Sequence, residues 1–259
     1  MEVTPIFSTE YSIGKSIISC DSEYEIKPHK SPSIFAIAKT HNLKQMVIVD
    51  NSVSGYRKMY KEFHDNVPDT HFIFGVKITL CADINDKTPE SRRTENDVIV
   101  FFRNSQAYED AIPLISLSGC AGRYEGQKRV DWKSLHEKWT PNLEMAIPFY
   151  SSFLSRNLLN YNHSALPDFR DLKPTFYIEN HSHPFDSMIE SAVENYCEAH
   201  GFPVFHSHQV YYYKNADIKA AITARCIQNR STWQKPEIGF FCSDEFSFEA
   251  ALNRNGKTL

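Results

Sequence analysis

Two histidine pairs carry the clearest chemical potential in the chain: His181 with His183, and His206 with His208. Both lie beside segments of strand-like composition. Residues two apart on a strand share one face, so each pair could chelate a divalent ion such as zinc or manganese. Glu10, Asp50 and Glu179 are the acids that could complete such a set. Ions held in this way can activate water. Other reactive motifs fall short. Gly14-Lys15-Ser16 is similar to the end of a phosphate loop, but G-x-x-x-x-G-K-[ST] needs glycine where Thr9 stands, so a turn after the first strand is expected. No G-x-S-x-G elbow is present. Tyr211-Tyr212-Tyr213 is expected to alternate between core and surface rather than to stack on bases.

The elements that must position these residues alternate in type. Strands are expected at 46–50, 71–80, 98–102, 143–147, 175–179 and 204–212. Helices are expected at 56–66, 105–118, 151–159, 185–199 and 216–228, with Ser105 as an N-cap and Pro113 bending or interrupting its helix. This alternation argues for a mostly parallel α/β sheet or barrel, whose ligands sit at the C-terminal ends of strands. The segments 20–33 and 83–96 are polar, and the second is expected as a surface loop.

At 259 residues and 41% hydrophobic content, one domain spanning 1–259 with a sizeable core is expected. The net charge of −4 argues against strong stand-alone nucleic-acid binding. The cysteines, Cys20, Cys81, Cys120, Cys197, Cys226 and Cys242, form no C-x-x-C pair, so reduced and mostly buried thiols are expected rather than a zinc knuckle. No apolar run approaches membrane-spanning length and no leader pattern opens the chain, which reads as a soluble, cytoplasmic protein.

Several stretches, in order, resemble the PHP (polymerase and histidinol phosphatase) domain at the N-terminus of the bacterial DNA polymerase III alpha subunit. Thr9-Glu10-Tyr11-Ser12 is similar to its opening H-[ST]-[DE]-Y-S. Val47-Ile48-Val49-Asp50-Asn51 is similar to its strand ending in Asp-His, and Phe74-Gly75-Val76-Lys77 to its I-G-x-E segment. Phe176-Tyr177-Ile178-Glu179-Asn180-His181 resembles F-Y-[IL]-E-x-x-H. Gly201-Phe202-Pro203-Val204 leads into the strand that in the family ends N-D-V-H-Y, and Cys226-Ile227-Gln228 with Phe246-Ser247-Phe248 resembles the exit region. The resemblance runs from about residue 4 to about residue 250 and implies a distorted (β/α)7 TIM-like barrel of the PHP type.

The family binds metal through histidines, carboxylates and sometimes a cysteine. Carried over position by position, the opening H-x-H falls on Ile6 and Ser8, and the Asp-His pair on Asp50 and Asn51. The glutamate falls on Lys77, the next histidine on Asp97, the histidine or cysteine after it on Phe149, and the final D-x-H on Gln209 and Tyr211. Ile, Phe and Tyr are poor ligands for such ions. Glu10 and Asp50 survive as acids. No cofactor and no catalytic residue are then expected; the alternative that the resemblance implies is a metal-dependent phosphoesterase or nuclease holding zinc or manganese on a relocated set. If Gln209 and Tyr211 face the former site, His206 and His208 face away from it. Lys77 is expected to replace part of the lost metal charge by pairing with Asp50, Asp97 or Glu10.

The resemblance thus implies a catalytically inactive, stand-alone copy, of a kind that would fit a bacteriophage genome. Its role in DNA replication would be structural or protein-binding. The expected partners are replication proteins, a polymerase or a proofreading exonuclease, with no membrane.

Overall fold

A computed structural model describes residues 2–159, 164–170, 172–233 and 243–259. In chain order its elements are β1 (Thr4–Phe7), α1 (Ile34–Thr40), β2 (Gln45–Asp50), α2 (Tyr56–Asn66), β3 (His71–Cys81), α3 (Pro89–Arg93), β4 (Asn96–Phe102), α4 (Ser105–Gly119), β5 (Arg129–Asp131), α5 (Trp132–Lys138), β6 (Glu144–Ile147), α6 (Phe153–Leu159), β7 (Thr175–Ile178), α7 (Asp186–His200), β8 (Val204–Val210), α8 (Ile218–Asn229) and α9 (Phe248–Arg254). The fold is mixed α/β. Every strand and helix named from the sequence is present, with ends moved by one or two residues. Helix α1 was not foreseen. Ser33 caps it by accepting from the Ala36 amide, and Ile34 to Ala38 are all buried. A helix covered on every side has no amphipathic period to read.

By mutual contact the chain divides into two compact units, 1–74 with 179–184 and 206–259, and 75–178 with 185–205. The sequence reading assigned one domain to 1–259.

In the first unit β1 lies between parallel neighbours. Ile6 and Phe7 pair with Val47 and Ile48 of β2, and with Gln209 and Val210 of β8. Phe7 packs on Phe248 of α9 at 5.3 Å between ring centroids, and Phe35 of α1 meets Phe63 of α2 edge-on at 5.1 Å. Phe7, Phe35 and Phe248 are fully buried. Each such side chain contributes about 2–3 kcal/mol by leaving water. This aromatic packing holds the C-terminal ends of β1, β2 and β8 in place.

In the second unit the strand order is β7-β6-β4-β3-β5. The β6–β7 and β3–β5 pairings are parallel, whereas β4 and β6 run antiparallel, with Val100 opposite Met145. That pairing departs from the parallel arrangement expected of the barrel. Between those two strands lie α4, β5 and α5, a connection long enough to return the chain in either direction. Asn104, not Ser105, caps α4 by accepting from the Ala107 amide at 2.8 Å, and α4 continues through Pro113.

The segment 83–96 is exposed over residues 85–90, as expected of a surface loop, but it is anchored at its C-terminal end. It contains α3, and Ser91, Glu95 and Asn96 are buried. The reason is Arg129 of β5, whose side chain is fully buried. Its guanidinium donates to Gly122 O, Ser91 Oγ, Glu95 Oε1 and Asp86 O at 3.1–3.3 Å. A buried cation is tolerated only when its donors are matched in this way. Hydrophobic periodicity cannot reveal a polar segment fastened from the far side by one arginine.

Cys20, Cys81, Cys197 and Cys226 are buried free thiols and Cys120 is exposed, while Cys242 lies outside the described residues. Among the described residues no helix is long and apolar enough to cross a membrane.

Candidate functional site

At the C-terminal end of β2, Asp50 is fully buried. Its Oδ1 accepts from the Thr9 amide at 2.8 Å and from Ser12 Oγ at 2.7 Å, and its Oδ2 accepts from Thr9 Oγ1 at 2.6 Å. Burial pushes the Asp50 carboxyl above its usual range, while the Thr9 and Ser12 donors pull against that rise. The same Ser12 Oγ accepts from the Asn51 amide at 3.2 Å. Asp50 therefore brackets the turn after β1 to the end of β2. Cys20 lies in this environment, and burial pushes its thiol up to about 12, so it stays protonated and unreactive. Glu10 is exposed, and its carboxylate accepts from the Cys20 amide at 3.0 Å.

The other positions of this unit that align with the resembled family's ligands are also internally engaged. Ser8 Oγ donates to Val49 O at 2.7 Å. Gln209 Nε2 donates to Ile6 O at 3.0 Å and to Ser8 Oγ at 3.1 Å. The side chain of Asn51 is exposed. A metal site needs acceptor lone pairs aimed at a common point. Here the Gln209 amide nitrogen is a donor, and the Asp50 oxygens already face three donors. These residues do not fit the divalent ions that the resembled family holds.

Lys77, Asp97 and Phe149 belong to the other unit. Phe149 is fully buried hydrocarbon. Asp97 accepts from Thr79 Oγ1 at 2.9 Å. Lys77 is half-buried and forms no ion pair among the described residues. Within this unit the expected pairing of Lys77 with Asp97 is not present among the described residues, and Asp50 and Glu10, the other expected partners, belong to the first unit. Hydroxyl and amide donors satisfy those acids instead, which removes the electrostatic demand on the lysine.

Of the four histidines, one from each expected pair, His181 and His208, come together. His181 and His208 are fully buried, with ring centroids 4.4 Å apart, and Phe246 stacks on His181 at 3.9 Å. His208 Nε2 lies 2.5 Å from Glu245 O, so it is the protonated nitrogen and donates there. His181 places Nδ1 3.3 Å from the same carbonyl and Nε2 3.0 Å from Glu179 Oε2. His183 is half-buried with its ring 5.8 Å from Phe246, and His206 is half-buried at the start of the β8 ladder. Gln209 and His208 lie on opposite faces of β8, one toward Ser8 and one toward Glu245. Among the described residues no group of three or more His, Cys, Asp or Glu side chains is placed to hold an ion.

Sequence reading passed over Thr9 and Ser12 as ligands of Asp50, and Arg225, which lines a cleft beside Tyr211. The T-E-Y-S string is the signal for the first two. Arg225 stands on the helical stripe Ile218, Ala221, Ile222, Arg225, a pattern visible only once α8 is assigned. No protein-family model matches the chain, and no curated protein matches its sequence.

Proposed function

We propose that this chain is a catalytically silent PHP-like module, similar to the N-terminal domain of the DNA polymerase III alpha subunit. In this reading its role in DNA replication is structural or protein-binding. The observation that carries it is Asp50: the acid surviving at the former metal position is closed off by Thr9 and Ser12 and serves as a bracket. The parallel run β2-β1-β8 supports a distorted (β/α)7 barrel, with the β4–β6 pairing as a local departure. The proposed location is the cytoplasm and the proposed partners are a replicative polymerase or its exonuclease. The negative net charge makes contact through protein surfaces a better fit than unaided DNA binding.

The test is affinity capture with the tagged full chain from its native host, with phosphoesterase and nuclease assays on the same sample under added manganese or zinc. Capture of replication proteins without hydrolysis is the expected result. Hydrolysis abolished by His181→Ala or Asp50→Ala would replace this reading with the relocated-ligand enzyme.

A further inference from the structure

The chain contains a single Asn-Gly step, Asn255-Gly256, and it stands where the two ends of the first unit meet. Asparagine is chemically labile, most of all before glycine, whose amide nitrogen reaches the asparagine Cγ with no side chain of its own in the way.

Both reacting groups are occupied in the fold. Asn255 is the C-cap of α9. Its Nδ2 donates to Val3 O at 2.8 Å, and its Oδ1 accepts from the Val3 amide at 2.8 Å. The side chain thus pairs with Val3 as a neighbouring strand would, just before β1 begins. The Gly256 amide, which is the nucleophile, donates to Asn253 O at 3.0 Å. Gly256 is exposed, so water reaches the step.

What closes the step is itself weakly held. Val3 is half-buried and precedes the β1 ladder, which pairs with β8 from Thr4 onward. The same end is tied by an ion pair, Lys257 Nζ to Glu2 Oε1 at 3.3 Å, between exposed side chains, which contributes little. Deeper in the unit Phe7 packs on Phe248, which keeps α9 on β1 when the outermost residues lift. Opening at Val3 is therefore local and needs no global unfolding.

We propose that Asn255-Gly256 is a deamidation site, held closed by Val3 and opened when the N-terminal end of the chain lifts from α9, so that a transient opening becomes a permanent change. In the open state the Gly256 nitrogen attacks Asn255 Cγ. The new C–N bond closes a succinimide, the Cγ–Nδ2 bond breaks, and ammonia leaves with the Gly256 proton. Water then hydrolyses one of the two imide carbonyls and leaves an aspartyl or an isoaspartyl residue. Neither product donates to Val3 O as Nδ2 does, and each carries a carboxylate where that carbonyl needs a donor. The latch does not re-form.

Peptide mapping by mass spectrometry follows conversion of Asn255 to its aspartyl and isoaspartyl forms in the full chain at mildly alkaline pH, folded and in unfolding urea. The unfolded chain should convert at least about ten-fold faster, since the folded chain reacts only through its open fraction. Val3→Pro deletes the amide that donates to Asn255 Oδ1 and should speed conversion in the folded chain by about five-fold, as loss of one hydrogen bond implies. If Val3→Pro does not fold, wild type in urea below its unfolding midpoint carries the test, and conversion should already accelerate there. Asn255→Asp, which reproduces the aspartyl product, should show severalfold faster hydrogen exchange at residues 2–4 than wild type. Equal conversion in folded and unfolded chains, an unchanged rate in Val3→Pro, acceleration only with global unfolding, or unchanged exchange in Asn255→Asp would each overturn the proposal.

Discussion

Acidification should destabilise this protein through one buried ring. His208 is fully buried, and its Nε2 donates to Glu245 O. Its Nδ1 is buried with no hydrogen-bond partner among the described residues, so a second proton there would have no acceptor. Burial, reinforced by the neighbouring His181, lowers the His208 pKa to about 3. An unfolded histidine titrates near 6.5. The unfolded chain thus binds one more proton than the folded chain between those values, and stability is lost as pH falls through that window. At about 1.4 kcal/mol per pH unit, His208 alone costs about 3 kcal/mol by pH 4.5, and nothing above pH 7. The assay is urea unfolding of wild type and His208→Gln, a variant that keeps a donor for Glu245 O and cannot titrate. The two stability curves should converge by about 3 kcal/mol between pH 7 and pH 4.5. NMR should show neutral, Nε2-protonated imidazole at pH 5. Parallel curves, or an imidazolium signal at pH 5, would refute the reasoning.

Three further outcomes follow from the same buried contacts. Asp50→Ala leaves the Thr9 amide, Thr9 Oγ1 and Ser12 Oγ unpaired in the interior, and should cost about 3–5 kcal/mol in urea unfolding; a loss under about 1 kcal/mol would remove the bracket from the account. Arg129→Met strands the buried Glu95 carboxylate and should cost about 3–5 kcal/mol by the same measure, with faster proteolysis of the 83–96 segment as a local signature. Lys77→Ala should change stability by less than about 1 kcal/mol, since the lysine is half-buried and holds no ion pair among the described residues.

What sequence reading captured was periodic. The runs Met46–Asp50 and Val98–Phe102 read as strands, and 56–66 and 185–199 as helices, because burial on one face or both writes itself into residue order. What it missed was polar and non-local. Arg129 lies 34 residues from Glu95 and Gln209 lies 201 from Ser8, and no local pattern announces such partners. The expectation for Lys77 failed for the same reason. Its position on β3 was legible, but the donors that satisfy Asp50 and Asp97 were other side chains. The T-E-Y-S string was noticed as a resemblance, whereas its physical use, two hydroxyls and an amide turned onto one carboxylate, emerged only from the fold.

The central claim is that the positions aligned with the metal ligands of the resembled family hold the fold together through the protein's own donors. Elemental analysis of dialysed protein, paired with thermal melting with and without a strong chelator, tests it most directly. The account predicts far less than one equivalent of zinc, manganese or iron and an unchanged Tm, because no bound ion contributes to folding. One equivalent of metal that survives dialysis, with a Tm that falls on chelation, would contradict it.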